Sequence, residues 1–436
     1  MKKLFCLLLV AMLLLAGCGT TTPAEPTEPP FEVEFPTMPP LADGATDEEI
    51  LQYRRDLVEQ QMRYMCTVRW TPTETIEYSL VNKSKGLEAD KQTNPGDIVT
   101  LYKGTIYEGL PYTHGSNSAY AFMEYATGLT ETGTLIVDGI ETADLSGYGY
   151  QEPNRCARLG TDCADQVFWA WNHISTSITF EYCANMVPGN GCIPVGDYTH
   201  NETYFNYTFP IADANGIDVM CESYAKMQKG DAMVFINSKG AGHAIMNVEV
   251  HVVRNEDGTI NPQESYAITL EQESGDERTQ IDTYVDETTG QTITRLQGID
   301  REYSFQYLYD KGYLPVTCKE LIDPSPLPEP KVEDSVQAPT VETMFTGFLK
   351  ANYRIASVTA TITDKDGKPV QQATCNSLEK ELFSFDLGRF VADAPRELVI
   401  GKIDVSALSP GQYGCVFDCR LSTGAVIRIR DFTFTV

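Results

Sequence analysis

Two short segments of this 436-residue chain hold the side chains whose types and spacing could do chemistry. The first, Gly160-Thr161-Asp162-Cys163-Ala164-Asp165, runs on into Gln166-Val167-Phe168-Trp169-Ala170-Trp171. Val167, Phe168, Trp171 and Ile174 recur at helical spacing, and Thr161 or Asp162 is suited to cap a helix that starts at the cysteine. A thiol in the first turn feels the positive end of the helix dipole and loses its proton more readily, as a nucleophilic cysteine requires. In the second segment, Lys229-Gly230-Asp231 predicts a turn, residues 232–236 a buried strand, residues 239–242 another turn, and residues 243–250 a second strand opened by His243. Ala244, Met246, Val248 and Val250 share the face expected to be core, which turns His243 to the other face with Ile245 and Asn247. A histidine at the mouth of a strand can serve a helix-borne thiol as general base. Taken singly, Cys163 reads better as a small buried hydrophobe and His243 as a structural residue; the pair carries the catalytic reading.

The next strand is predicted over residues 266–272, after a hairpin around residues 255–258. Strict alternation puts Gln272 with Tyr266, Ile268 and Leu270, which look like core. Glu271 falls with Ala267 and Thr269 on the more polar face. A bulge would exchange these assignments.

A Cys helix introduced by Asp162-Cys163, a later Gly230-Asp231 turn leading to Phe235, and Gly242-His243 at a strand start together resemble the NlpC-type papain-like peptidases of bacterial cell walls. Upstream, Gly109-Leu110-Pro111-Tyr112 resembles that family's G-x-P-Y segment. The resemblance spans about residues 66–322 and is dense only at these motifs. It implies Cys163 as nucleophile, His243 as base and Gln272 as the residue that orients the imidazole, with Glu271 in reserve. Tyr112 and Asp162 would line the substrate cleft, although a core role for one and a capping role for the other fit equally. The implied activity is hydrolysis of amide bonds in peptidoglycan stem peptides through a thioester, with no metal or cofactor. The chain departs from the family where Ala164-Asp165 replaces the usual Ser-Gly and where extra residues separate Tyr112 from Cys163 and Cys163 from Gly230. These departures motivate an alternative: a non-catalytic wall-binding or adhesion protein on the same scaffold.

Other segments set the context for this site. Met1-Lys2-Lys3 and the apolar run from Leu4 to Ala16 read as a signal peptide over residues 1–17, ending in Leu15-Ala16-Gly17-Cys18, which resembles a bacterial lipobox. Cys18 would carry lipid, holding the body outside the cytoplasmic membrane. Residues 18–44 read as a Pro-rich stalk, and residues 45–322 as the peptidase domain, opened by a helix capped by Asp47 and running to about Met65. Residues 323–337, with alternating prolines, read as a linker. Residues 338–436 read as an all-β sandwich of immunoglobulin type, its partner unassigned, because residues 357–363 and 425–430 alternate on a two-residue period. The fold expected is therefore α+β followed by all-β. A net charge of −28 excludes nucleic-acid binding through a basic surface. With five histidines and no H-E-x-x-H, nothing supports a zinc hydrolase of that type. Of twelve cysteines, Cys183 with Cys192, and Cys375 with Cys415 or Cys419, are possible disulfides.

Overall fold

Thr46 opens the first helix, α1 (Asp47–Thr67), with a capping box: its hydroxyl accepts from the Glu49 amide, and the Glu49 carboxylate accepts from the Thr46 amide at 2.8 Å. The cap is thus one residue earlier than the Asp47 expected from sequence. Asp47 joins Glu48 and Glu49 in the first turn, where acidic side chains complement the dipole. This computed structural model describes residues 35–79, 98–112, 122, 126–138, 160–178, 183–189, 192–200, 207–273, 282–334, 347–376, 383–385, 396–400 and 408–436. The signal segment, the lipidation residue Cys18 and the first part of the expected stalk lie outside them. Within the expected stalk, Pro36 accepts a hydrogen bond from Gln61 and the Phe35 ring meets Tyr64, so residues 35 and 36 lie along α1. No helix among the described residues is long and apolar enough to cross a membrane.

After α1 come β1 (Arg69–Pro72), the paired β2 (Ile76–Ser79) and β3 (Ile98–Leu101), β4 (Ile106–Glu108), β5 (Ala126–Leu129) and β6 (Leu135–Val137). Then follow α2 (Cys163–Trp171), α3 (Cys183–Met186), β7 (Ile193–Pro194), α4 (Phe209–Asn215), α5 (Ile217–Tyr224), β8 (Ala232–Ile236), β9 (Gly242–His251) and β10 (Tyr266–Glu271). The strands β11 (Asp282–Val285), β12 (Thr292–Arg295) and β13 (Gly298–Ser304), helix α6 (Phe305–Lys311) and β14 (Leu314–Thr317) complete this part. An antiparallel sheet of order β13-β10-β9-β8-β14-β7 forms the centre, and α2 packs on β9. A mixed sheet, β11-β12-β4-β1-β6-β5, presents the end of β4 to that centre, so Gly109 through Tyr112 runs on from β4 beside the start of α2. The architecture is α+β, with few helices and with antiparallel and mixed sheets.

Two buried arginines on α1 fasten the molecule. Arg54 donates to the Glu320, Asp323 and Ser325 carbonyls, and Arg55 to the Lys229 and Leu321 carbonyls and to Asp231 at 2.9 Å. Asp231 also accepts from the Gln228 amide. The Gly-Asp turn is therefore a structural knot, and removing one member of the buried ion pair would strand the other at a cost of about 3–5 kcal/mol.

The C-terminal strands are β15 (Val332–Asp334), β16 (Gly347–Ala351), β17 (Ile355–Thr363), β18 (Pro369–Asn376), β19 (Phe383–Phe385), β20 (Arg396–Ile400), β21 (Gln412–Leu421) and β22 (Val426–Thr435). They form two antiparallel sheets, β15-β16-β20-β19 and β18-β17-β21-β22. Leu349 and Ala351 from the first sheet share one core with Val358, Ile362, Phe417 and Cys419 from the second. The two-residue period expected for residues 357–363 is present in the burial of β17. The β-rich part begins earlier than expected, because Val332, Glu333 and Asp334 pair with Ala351, Lys350 and Leu349 inside the presumed linker. That Pro-rich segment is also tied down: Tyr353 and Asn352 donate to the Pro328 and Glu329 carbonyls. Residues 35–436 accordingly form one compact unit.

Candidate active site

Asp162, in extended conformation, caps α2 by accepting from the Asp165 amide at 2.8 Å, and Cys163 is the first helical residue. All nine residues of α2 are buried, which fits a helix sandwiched between sheets rather than one with a solvent face. Gly160 makes the approach possible. Its φ is +97°, and a Cβ there would sit 1.8 Å from the Pro111 carbonyl oxygen, so only glycine lets residues 109–112 run alongside. Thr161 accordingly pairs with Tyr112 in a parallel bridge, and its amide donates to the Pro111 carbonyl at 3.1 Å. Tyr112 and Asp162 both border the cysteine, one through its neighbouring strand segment and the other as the helix cap.

His243 lies near the start of β9, and Ala244 and Met246 are buried on the opposite parity, as the sequence indicated. Ile245 and Asn247 are buried as well, so this half of β9 is covered on both faces, whereas Val248 and Val250 are only half-buried. His243 Nε2 lies 2.9 Å from Glu271 Oε2. The Cys163 sulfur lies close enough to the same imidazole for each to favour the charged form of the other. With Nε2 engaged by the carboxylate, Nδ1 remains to exchange a proton with sulfur.

The third residue differs from the one favoured by the sequence. Gln272 is fully buried and turns away from His243, donating from Nε2 to the Leu110 carbonyl at 2.8 Å. The register shifts fall on the partner strands, where Val248 of β9 and Asp300 of β13 are the extra residues, so β10 keeps its own alternation: Glu271 shares a face with Thr269, which pairs with Asn247 on the His243 face of β9. Glu271 is thereby aimed at His243. Glu271 also accepts from Tyr303 at 2.8 Å and Arg301 at 3.0 Å, two residues of β13. Gln272 and Gln297 both donate to Leu110, and Gln166 joins Gln297 at 2.6 Å, so a buried amide network fixes the segment before Tyr112.

The electrostatics favour a charged pair. Burial opposes ionisation of Glu271, but His243, Arg301 and Tyr303 outweigh it and hold the carboxyl below its ordinary range. Burial likewise opposes charge on His243, yet Cys163 and Glu271 push its pKa up to about 10. The Cys163 thiol is held well below its usual value, first by a hydrogen bond from Cys183, then by His243 and the Ala244 amide, against the cost of burial. Cys163 is 7% exposed and the His243 side chain 18%, which leaves the pair reachable from solvent.

Cys183 lies on α3 with its sulfur 3.9 Å from that of Cys163. A bridge from Cys183 to Cys192 is therefore not formed, and both thiols are free. Cys415 and Cys419 are also free. Cys375 and Cys419 both register with Val358 from opposite sides of β17, two strand spacings or about 10 Å apart, beyond the reach of a disulfide.

Asp165, one of the departures from the peptidase pattern, is paired within the fold. It meets Arg354 from the C-terminal sheets at 3.2 Å, with both side chains buried, and Arg354 lies 4.9 Å over the Trp169 ring. Ser422 donates to the Asn172 carbonyl just beyond the helix. A separate cleft of about 650 Å³ between α1 and residues 324–327 contains neither Cys163 nor His243. No cluster of three or more His, Cys, Asp or Glu with metal-binding arrangement occurs among the described residues. No protein-family model matches this chain, and no curated protein matches it.

Proposed function

We propose that this chain is a cysteine peptidase or amidase of the bacterial cell envelope, acting on peptidoglycan stem peptides with Cys163 as nucleophile, His243 as proton carrier and Glu271 as the group that orients His243. The observation that carries the reading is the chain of contacts from a helix-N-terminal thiol through an imidazole to a buried carboxylate held by Tyr303 and Arg301. In the reaction, the Cys163 thiolate attacks the scissile carbonyl and the Cys163 amide at the helix start stabilises the oxyanion. The imidazolium gives its proton to the leaving amine, leaving a thioester. Neutral His243 then takes a proton from water, which attacks the thioester and regenerates the thiol. Because protonation of the leaving group needs the imidazolium, hydrolysis should fall as pH rises through about 10.

The wall substrate and the papain-like scaffold rest on the resemblance around Asp162-Cys163, Gly230-Asp231 and Gly242-His243, supported by the helix-on-antiparallel-sheet arrangement of those segments. An immunoglobulin-like C-terminal domain is supported by strand order. Taken in sequence as A, B, C, C′, D, E, F and G, strands β15 to β22 form A-B-E-D and C′-C-F-G sheets. The lipid anchor at Cys18 and an extracytoplasmic site remain part of the proposal on the lipobox-like sequence.

The test is digestion of purified peptidoglycan followed by mass spectrometry of the soluble fragments. Wild-type protein should release fragments with new termini inside the stem peptide, and Cys163→Ala or His243→Ala should release none. Equal release by both variants would sink the assignment.

A further inference from the structure

We infer that Cys183 is a resolving thiol for Cys163, so that hydroperoxides convert the pair reversibly into a Cys163–Cys183 disulfide that switches the site off. This rests on Cys163 being the reactive thiol, as the proposed function requires, but not on the identity of the substrate.

Three observations carry it. The two sulfurs are 3.9 Å apart in the reduced protein, so closure to the disulfide length of about 2 Å asks for a small movement. The approach of α3 is built into the sheet: at Gly242, beside His243, a Cβ would stand 2.9 Å from the Cys183 Cβ and 2.7 Å from the Phe235 carbonyl oxygen, so a side chain there would push α3 away. Finally, Cys183 is placed where a peptidase of this mechanism has no evident use for a second thiol, since His243 and Glu271 already supply the proton carrier and its orienting group. The hydrogen bond from Cys183 favours the thiolate of Cys163 and leaves Cys183 protonated, which makes Cys163 the sulfur that oxidises first.

The chemistry balances with a hydroperoxide as oxidant. The Cys163 thiolate attacks the terminal peroxide oxygen, the O–O bond breaks, and the departing oxygen takes the proton of His243, giving a sulfenic acid and an alcohol or water. Cys183 then gives its proton to the now neutral His243 and attacks the Cys163 sulfur. The S–O bond breaks, and hydroxide leaves as water with that proton. Two thiols have lost two electrons to the peroxide, and an external dithiol reverses the change by exchange. A solitary thiolate would instead continue to the sulfinic acid, which thiols do not restore.

The experiment treats the reduced full chain with a molar excess of hydrogen peroxide, blocks remaining thiols with iodoacetamide and maps disulfides after chymotrypsin. That protease can cleave after Trp169, Trp171 and Tyr182 and so separates the two cysteines. The expected result is a cross-linked peptide pair joining Cys163 and Cys183, lost on treatment with dithiothreitol as Cys163 becomes alkylatable again. In Cys183→Ser, Cys163 should gain two or three oxygens irreversibly under the same treatment. Oxidation of wild-type Cys163 to sulfinic acid with Cys183 still alkylatable, or its pairing with another cysteine, would overturn the inference. Disulfide formation in a protein whose reduced form leaves peptidoglycan intact would instead retain the switch and remove the peptidase reading.

Discussion

The same residue type is put to opposite uses in the two halves of this molecule. Cys415 and Cys419 project from β21 into the core shared by the two C-terminal sheets, where burial pushes their thiols up to about 12. Cys163 is almost as buried, yet its thiol is driven the other way, because Cys183, His243 and the Ala244 amide surround it with partners for a negative charge. Burial alone makes a cysteine inert. Burial with a proton acceptor and hydrogen-bond donors makes it a nucleophile. Reactivity here belongs to the joint of α2, α3, β9 and β10, and among the described residues the C-terminal sheets brace α2 through Arg354 and Ser422.

Several substitutions would sharpen or break that contrast. The largest effect is expected at Glu271→Gln, which keeps shape but loses the charge that orients His243. Its kcat should fall by about 100- to 10,000-fold, as when the carboxylate of a catalytic triad is neutralised, with Arg301 left partly unpaired. Gln272→Ala, one residue along, should leave kcat within about threefold and cost about 1–3 kcal/mol in denaturant unfolding, since only a buried donor to Leu110 is lost. A reversal of these two results would return the orienting role to Gln272.

In the C-terminal half, Phe417→Ala should lower unfolding free energy by about 3–5 kcal/mol through cavity formation, while the alkylation rate of Cys163 in the folded protein stays unchanged. Arg354→Ala should cost a similar amount, because the buried Asp165 carboxylate beside the nucleophile loses its guanidinium. Asp165→Asn in the same chain should recover part of that loss. Full additivity of the two substitutions would mean that the pair does not brace α2. The smallest effect is expected at Asp162→Ala, about 1 kcal/mol for the lost helix cap, read from thermal or denaturant unfolding.

How much of this could be read in advance depends on the range of the interactions. The start of α2 was legible because capping and hydrophobic spacing are local, and β9 was legible because Gly242-His243 marks a turn opening a strand. The orienting residue was legible only in part: the alternation of β10 put Glu271 on the polar face, whereas the resemblance favoured Gln272, which would need an extra residue in β10, and the extra residues lie instead in β9 and β13. Tyr303 and Arg301 are paired with Glu271 only through the register of β10 on β13, which no spacing within either strand encodes. Arg54, Arg55 and Arg354 escaped notice for a related reason. Each satisfies a partner far along the chain, and nothing local distinguishes a buried arginine from a solvated one. The early start of the C-terminal sheets was hidden by the prolines, which read as a linker although β15 pairs at the edge of its sheet.

The central claim is that Cys163 is an activated thiol made so by His243. The direct measurement is the rate of iodoacetamide alkylation of Cys163 in the reduced protein as a function of pH, followed by peptide mass spectrometry so that each cysteine is read separately. At about pH 6 the account predicts that Cys163 reacts faster than free cysteine, that Cys415 and Cys419 stay unmodified, and that His243→Ala brings Cys163 down toward an ordinary thiol. A wild-type Cys163 that reacts at pH 6 no faster than free cysteine would contradict it.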